Sequence, residues 1–253
     1  MEAACTSTVA ILCGGRGTRL QEHTRAIPKP LVEIGGRPIL WHVMSIYACQ
    51  GFRRFVLCLG YKGEMIEQFV DDCEWPPGTE IVCAATGLET QTGGRIKRAA
   101  EHLPDSTFHV TYADGVADVD LARLCAYHES GGALATMTVV RPQLPFGVTD
   151  IAGDGRIHGF REKPQSEHWI NGGFMCCEPA VLDYLDEDCV LEREPLERLA
   201  ADGQLRAFRH DGFWDCMDTY KDALLLNDLW ATGHAPWRVW DRHIDWLDPV
   251  AGT

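Results

Sequence analysis

The sequence predicts an α/β fold of three layers, in which a mixed and mainly parallel sheet lies between helices. Two observations support this prediction. Short apolar runs alternate with segments of helical periodicity up to about residue 130, and such alternation is typical of parallel sheets with covering helices. The chain has 253 residues, 45% of them hydrophobic, so it is long enough to bury the core of one large domain.

Four strands and three helices are predicted in the first half. Three strands are continuous apolar runs, as expected for strands buried on both faces, at residues 9–12, 55–59 and 81–85, and a fourth strand is predicted at residues 108–112. Apolar side chains at helical spacing predict helices from Pro38 to Gly51, around residues 65–70 and over residues 95–102. Asp114 follows the fourth strand, at the edge where open α/β sheets bind ligands.

The second half predicts a mixed-sheet extension. Strands are expected at residues 133–140, 148–152, 157–162, 174–177 and 205–209, with a hairpin turn at Gly153-Asp154-Gly155. Helices are expected at residues 179–186, at 194–202 and from Thr219 onward. In the tail, Trp237, Trp240 and Trp246 are expected to pack against the body or a neighbouring subunit.

A glycine-rich segment with three basic residues follows the first strand. Its glycines let a ligand approach backbone N–H groups, and its cations can neutralise an anion from the sides. These residues are Gly14, Gly15, Gly17, Arg16, Arg19 and Lys29. The combination predicts a binding site for a polyanion; the alternative is a flexible loop with solvated arginines.

The charge distribution favours a small anionic ligand over nucleic acid. The net charge is −14, yet residues 1–40 contain five basic residues against three acidic ones, which makes that segment +2 and the remainder −16. Nucleic-acid binding usually needs a broad basic face. Two common phosphate-binding motifs are also absent, because the segment has neither the third glycine of a dinucleotide fingerprint nor the Gly-Lys-Ser/Thr of a P-loop.

Cysteine usage and hydropathy predict a cytoplasmic protein without a membrane span. Eleven cysteines occur without any Cys-x-x-Cys pair, which favours buried thiols in a reducing compartment over disulfides or zinc ligands. No run of eighteen apolar residues occurs, and the first residues lack a basic region followed by an apolar stretch. Neither a membrane span nor a secretion signal is therefore expected.

An ordered set of short motifs runs from about Val9 to Trp240. The motifs are Ala10-Ile11-Leu12-Cys13-Gly14-Gly15-Arg16-Gly17-Thr18-Arg19-Leu20, Pro28-Lys29-Pro30-Leu31, Gly35-Gly36-Arg37-Pro38-Ile39-Leu40-Trp41-His42, Gly60-Tyr61-Lys62-Gly63, Thr92-Gly93-Gly94-Arg95, Asp114-Gly115-Val116-Ala117-Asp118, Glu162-Lys163-Pro164, Ile170-Asn171-Gly172-Gly173-Phe174 and Gly212-Phe213-Trp214 with Met217-Asp218-Thr219. Together they resemble the sugar-1-phosphate nucleotidyltransferase family and are most similar to its glucose-1-phosphate cytidylyltransferases. One motif alone is weak, whereas the ordered set is specific.

The resemblance implies a Rossmann-like fold of the nucleotide-diphospho-sugar transferase type. It implies one nucleotidyltransferase domain over residues 1–253, with a nucleotide-binding half at about 1–130, a sugar-phosphate-binding half at about 131–231 and the tail at 232–253. The expected partners are small-molecule substrates, a nucleoside triphosphate and a sugar 1-phosphate, with Mg²⁺ as cofactor. The protein is also expected to be a homo-oligomer, with no nucleic-acid or membrane partner.

The resemblance also assigns residues to roles. Arg19 and Lys29 would be catalytic, with Lys29 near the α-phosphate during transfer, and Asp114 and Asp218 would bind Mg²⁺, which prefers carboxylate and phosphate oxygens. The nucleotide-binding residues would be Leu12, Gly14, Gly15, Arg16, Gly17, Thr18, Arg19, Lys29, Gly93, Gly94 and Asp114. The sugar-phosphate-binding residues would be Gly115, Glu162, Lys163, Asn171 and Gly172.

Each assignment has a simpler structural alternative. Asp114 could end a strand in an Asx-turn, and Asp218 could cap the helix that begins near Thr219. Lys163 could be a solvated loop cation, and Asn171-Gly172 could be a turn.

Two features depart from the family pattern. The segment 71–91 is shorter than in the cytidylyltransferases, near the expected base pocket and subunit contacts, and Ala113 stands where glycine is common.

The expected function is condensation of CTP with glucose 1-phosphate, or a related sugar or cyclitol phosphate, to give a CDP-sugar and pyrophosphate. One alternative is the same reaction with dTTP, UTP, ATP or GTP. The other is a noncatalytic regulator that binds a nucleotide sugar.

Overall fold

The computed structural model describes residues 8–17 and 26–242. The strands are β1 (Thr8–Leu12), β2 (Glu33–Ile34), β3 (Arg37–Pro38), β4 (Arg54–Leu59), β5 (Glu80–Ala85), β6 (Phe108–Tyr112), β7 (Gly115–Ala117), β8 (Ala135–Val140), β9 (Val148–Ile151), β10 (Ile157–Arg161), β11 (Ile170–Cys177), β12 (Leu205–Arg209) and β13 (Trp214–Cys216). The helices are α1 (Ile39–Ala48), α2 (Gly63–Asp72), α3 (Thr92–Arg98), α4 (Leu121–Glu129), α5 (Glu194–Ala201) and α6 (Tyr220–Ala231), and shorter 3₁₀ turns connect some of them.

Seven strands form the central sheet, in the order β12-β8-β11-β6-β1-β4-β5. Strand β1 pairs in parallel with β4 and β6, β4 with β5, and β8 with β12. Strand β11 alone runs antiparallel to both neighbours, β6 and β8. The sheet is therefore mixed and mainly parallel, which confirms the predicted fold class.

Both faces of the sheet are covered. Along β1, Val9 and Ile11 belong to one buried apolar cluster while Ala10 and Leu12 belong to the other, because successive side chains of a strand point to opposite faces. The first cluster includes helix α1, all ten residues of which are buried. The second includes Ile96 of α3 and Leu199 of α5. Burial on both faces explains why the strand sequences are continuous apolar runs.

The β9–β10 hairpin is confirmed, with Gly155 in the left-handed region at φ +85° in its turn. Three expectations about local structure are wrong. Asn171 and Gly172 lie within β11, so their reading as a turn is wrong. Helix α3 begins at Thr92 rather than Arg95, and residues 179–184 form a 3₁₀ helix. The short strands β7 and β13 were not predicted, since three residues show no periodicity.

The tail up to Arg242 packs against the body of the same chain. Trp237 and Trp240 are almost completely buried, and the Trp237 indole N–H donates to Nδ1 of His42 at 3.3 Å. Trp240 meets the ring of Trp41 edge to face at a centroid distance of 5.3 Å. Trp246 lies outside the described residues.

Cysteine chemistry only partly follows the prediction. Nine cysteines of the described ranges are free thiols. Cys125 is disulfide-bonded, which corrects the expectation that no disulfide forms. None of the helices described between residues 8 and 242 has the length and apolar character that crossing a bilayer demands.

Candidate active site

A cavity of about 380 Å³ lies at the carboxyl ends of β1 and β6, where the polyanion site was predicted. The predicted site residues in its lining are Leu12, Gly14, Gly15, Gly17, Lys29, Asp114 and Asp218. Lining residues for which no role was predicted include Thr90, Gln91, Thr92, Arg95 and Tyr112. Thr18 and Arg19 lie outside the described residues.

Lys29 holds the two predicted metal ligands together. Its ammonium nitrogen lies 2.5 Å from Oδ2 of Asp114 and 2.7 Å from Oδ1 of Asp218. The fold unites these distant residues through the β7–β13 pair, and the backbone N–H of Met217 donates to the carbonyl of Asp114 at 2.9 Å. The result is one cation between two carboxylates at the edge of the cavity.

The environment of Lys29 favours its positively charged form. Burial disfavours the charged form, but the attraction of Asp114 and Asp218 outweighs burial and raises the pKa of Lys29 above its ordinary value. Lys29 is therefore an ammonium ion at neutral pH.

Helix capping does not explain Asp218. The N-cap of α6 is Thr219, which forms a capping box with Asp222. The Asp218 carboxylate instead contacts Lys29. The simpler structural alternative for this aspartate is therefore wrong.

Arg95, in the wall of the cavity, forms a hydrogen bond to the backbone of the glycine-rich segment. Arg95 is only 4% exposed, and its guanidinium donates to the carbonyls of Gly14, Leu59 and Gly87 at 3.1, 3.0 and 2.7 Å. A Cβ atom at Gly14 would come within 2.1 Å of this guanidinium, so the close approach requires glycine there. This role for Arg95 was not predicted.

Comparison with known proteins gives the family. The family model described as Nucleotidyl transferase matches residues 8–215. The chain belongs to the nucleotidyl transferase family. It is 44% identical to a protein of Bacillus subtilis named probable glucose-1-phosphate cytidylyltransferase, over 91% of this chain and 98% of the relative. It is 41% identical to the glucose-1-phosphate cytidylyltransferase of Salmonella typhimurium, with the same coverage. The crystal structure of HddC from Yersinia pseudotuberculosis superposes with a TM-score of 0.68 at 26% identity, covering 88% of this chain and 99% of that one.

The carboxylate pair of this nucleotidyl transferase suits a hard divalent cation. Asp114 and Asp218 already converge on one positive charge, the Lys29 ammonium. Their oxygens are the donor type that Mg²⁺ prefers, and Mg²⁺ commonly uses one or two carboxylates together with substrate phosphates. The donors therefore fit the predicted ion.

Gly93 and Gly94 lie behind the cavity rather than in its described lining. Their backbone N–H groups donate to the carbonyl of Cys189 at 2.9 and 3.0 Å. A Cβ atom at Gly94 would come within 2.4 Å of the Glu187 carbonyl oxygen. Residues 90–92, which directly precede these glycines, do line the cavity, and the nucleotide-binding role of Gly93 and Gly94 stays a prediction.

Arg16 lies beside the cavity. Its guanidinium pairs with the exposed carboxylate of Glu89 and lies 5.8 Å from the ring of Tyr61. Its predicted contact with phosphate would require exchange of that carboxylate for the ligand.

The predicted sugar-phosphate residues divide into two groups. Glu162 and Lys163 follow strand β10, are exposed, and are not part of the described cavity lining. Asn171 connects to the cavity, because its Nδ2 donates to the Tyr112 hydroxyl at 3.1 Å.

Gly115 and Gly172 both lie near Trp214. The indole of Trp214 donates to the Gly172 carbonyl at 2.8 Å, and a Cβ atom at Gly115 would lie 3.9 Å from that indole nitrogen. Among the described residues, the cavity thus unites part of the predicted nucleotide set with both predicted metal ligands, whereas Gly93, Gly94, Glu162 and Lys163 lie outside its lining.

Proposed function

We propose that the protein condenses CTP with glucose 1-phosphate, or a related sugar or cyclitol phosphate, to give a CDP-sugar and pyrophosphate. The observation that carries the proposal is the convergence of Lys29, Asp114 and Asp218 at the end of a glycine-rich cavity. The named activities of relatives that share 41–44% of their residues with this chain support the choice of substrates.

The reaction needs charge neutralisation more than covalent catalysis. A phosphate oxygen of the sugar 1-phosphate attacks the α-phosphorus of the triphosphate, the new P–O bond forms, and the bond to pyrophosphate breaks as pyrophosphate takes the electron pair. Both reactants are anions that repel each other in a site of low dielectric constant. Positioning and electrostatic stabilisation therefore account for most of the catalysis.

The residues of the cavity meet these needs. The glycine segment offers backbone N–H groups to the triphosphate, and the Lys29 ammonium offers positive charge at the α-phosphate. Asp114 and Asp218 would hold Mg²⁺, which when bound would neutralise phosphate charge. Lys163 and Asn171 would hold the sugar phosphate.

Nucleotide selection tests the identity of the base. A pocket for a pyrimidine excludes purines by size, and discrimination between cytosine and uracil depends on hydrogen-bonding groups at one edge. We expect CTP to give the highest kcat/KM, UTP and dTTP to follow, and ATP and GTP to be poor. Side-by-side kcat/KM values for the five nucleotides decide this. If a purine triphosphate were the best substrate, the assignment of cytosine as the base would be wrong, whereas the proposed class of reaction would still hold.

Lys163 should act on sugar-phosphate affinity. We expect Lys163→Ala to raise the KM for glucose 1-phosphate by about tenfold and to leave the KM for CTP nearly unchanged. A lysine that binds the phosphate of the sugar stabilises the ground state and the transition state equally, so its loss changes KM rather than kcat. Arg156→Ala is the control, because Arg156 lies in the turn of the preceding β9–β10 hairpin and pairs locally with Asp154. Equal changes in both KM values would contradict this role.

The β9–β10 hairpin supports the proposal of a homo-oligomer. Phe146, Ile151, Ile157 and Phe160 are 75%, 67%, 61% and 64% exposed, and contiguous exposed apolar side chains mark contact surfaces. We expect sedimentation to give a mass of two or more chains, and Phe160→Glu with Ile157→Glu to lower it. A monomer in the parent protein would contradict the proposal.

The alternative function, a noncatalytic regulator that binds a nucleotide sugar, makes a different prediction. Such a protein would bind CDP-glucose without releasing pyrophosphate from CTP. The paired carboxylates favour the enzyme, because simple binding of a nucleotide sugar does not require two metal ligands.

A further inference from the structure

A chain of hydrogen bonds between side chains crosses one wall of the cavity. The Asn171 amide donates to the Tyr112 hydroxyl at 3.1 Å, and that hydroxyl donates to Oε1 of Glu192. The other carboxylate oxygen, Oε2, accepts from the Thr92 hydroxyl at 2.6 Å. Glu192 thus connects Asn171, a predicted sugar residue on β11, with Thr92, the first residue of α3.

The backbone around Glu192 is anchored on the start of helix α3. The Leu191 N–H donates to the Thr92 hydroxyl at 2.9 Å, and the Leu191 side chain is buried. The Cys189 carbonyl accepts from the first N–H groups of the helix. Because the backbone just before Glu192 is fixed on this helix, Glu192 can hold its two partners in defined directions.

Each partner of Glu192 faces the cavity. Thr92 and Tyr112 both belong to its lining.

The amide of Asn171 is fixed at both ends. Its oxygen accepts the Gly173 N–H at 2.8 Å, while its nitrogen donates to Tyr112. The direction of the Tyr112 hydroxyl, set by Glu192, therefore sets which way Asn171 presents its second amide hydrogen.

We propose that Glu192 is a positioning residue of the transfer reaction, which orients Thr92 on the nucleotide side and Asn171, through Tyr112, on the sugar-phosphate side. The inference rests on the proposed function, because it assumes that both substrates occupy this cavity. It adds a residue that couples the two substrate sites.

The test compares Glu192→Ala, Glu192→Gln and the control Glu194→Ala. Glu194 is an exposed neighbour whose carboxylate pairs only within its own helix, with Arg198 at 3.3 Å. We expect Glu192→Ala to lower kcat/KM about tenfold, the loss expected for charge-assisted hydrogen bonds, and to raise the KM values for both CTP and glucose 1-phosphate. Glu192→Gln keeps one acceptor oxygen, whereas its amide nitrogen can only donate. It should therefore keep one of the two hydroxyl bonds and lie between Glu192→Ala and the parent, with a loss of about threefold. Glu194→Ala should behave like the parent.

A double-mutant cycle separates coupling from independent effects. Tyr112→Phe should raise mainly the KM for glucose 1-phosphate, and combining it with Glu192→Ala should add less than about twofold to the larger single defect, because both changes break the same bond. Tyr112→Phe keeps the aromatic ring, and Glu192→Ala removes an exposed side chain, so each single variant gives a reading if the other fails to fold.

Several results would overturn the proposal. One is a Glu192→Ala variant that matches Glu194→Ala or lowers only the melting temperature. A second is a Glu192→Gln variant as poor as Glu192→Ala, since the acceptor that it keeps would then contribute nothing. A third is a double variant that loses the product of both defects. Titration calorimetry with CDP-glucose compares the binding affinities of the parent and the same variants without turnover. An inactive parent would refute the proposed function, whereas an active parent with an unaffected Glu192→Ala would refute only this inference.

Discussion

Asp114→Asn and Asp218→Asn should each lower kcat by at least about a hundredfold, the usual scale for losing a group that stabilises transition-state charge. Both carboxylates bind the same ammonium ion and offer the oxygen donors that suit Mg²⁺. Asparagine keeps the shape but removes the charge that would hold the ion. Both side chains are partly exposed, so folding should change little.

Two measurements check this expectation together. Steady-state rates with saturating CTP and glucose 1-phosphate give kcat, and titration of the protein with Mg²⁺ gives the affinity for the ion. Asp211→Asn is the control, since its exposed carboxylate pairs only with Arg141, at 3.2 Å. If both active-site variants bind Mg²⁺ and turn over like the parent, the metal-site assignment is wrong.

Lys29→Ala should also lower kcat by about a hundredfold or more, because the ammonium would neutralise charge that develops at the α-phosphate. The side chain is only 14% exposed, and no other lysine contributes to the described cavity lining. The KM for glucose 1-phosphate should change less than in Lys163→Ala. Lys221→Ala, on the exposed start of α6, is the control.

The melting temperature of the Lys29→Ala variant gives a second test that does not depend on turnover. Without the ammonium, Asp114 and Asp218 face each other uncompensated, and like charges repel. Mg²⁺ should therefore raise the melting temperature of Lys29→Ala more than that of the parent. The same kinetic defects in Lys29→Ala and Lys163→Ala would contradict the division of labour between the two lysines.

The sheet could be predicted because its strands are buried on both faces. Strands β1 and β4 contain continuous apolar runs, and these two strands and β6 were predicted to within one residue. The pair β7–β13 could not be found, since three-residue strands carry no period. Yet this pair brings Asp218 beside Asp114, so the metal site followed from the family resemblance and not from the local sequence.

The roles of Arg95 and Glu192 could not be predicted from the sequence. Each acts through partners far along the chain, Arg95 on Gly14 and Glu192 on Tyr112. Glu192 belongs to none of the motifs, and its neighbouring sequence does not distinguish it from a solvated surface charge. Arg95 belongs to the motif Thr92-Gly93-Gly94-Arg95, but the motif does not show which backbone groups it binds. The glycines at positions 14 and 60 were a further signal, because the Arg95 guanidinium approaches each of them within the space of a Cβ atom.

Pyrophosphate release by the purified protein with CTP and Mg²⁺, with and without glucose 1-phosphate, tests the proposed reaction most directly. The sugar phosphate supplies the attacking oxygen, so release should depend on its addition and should equal the CDP-glucose formed. No release with glucose 1-phosphate or any other sugar phosphate, whichever of the five nucleotides is supplied, would contradict the account and favour a nucleotide-sugar-binding regulator.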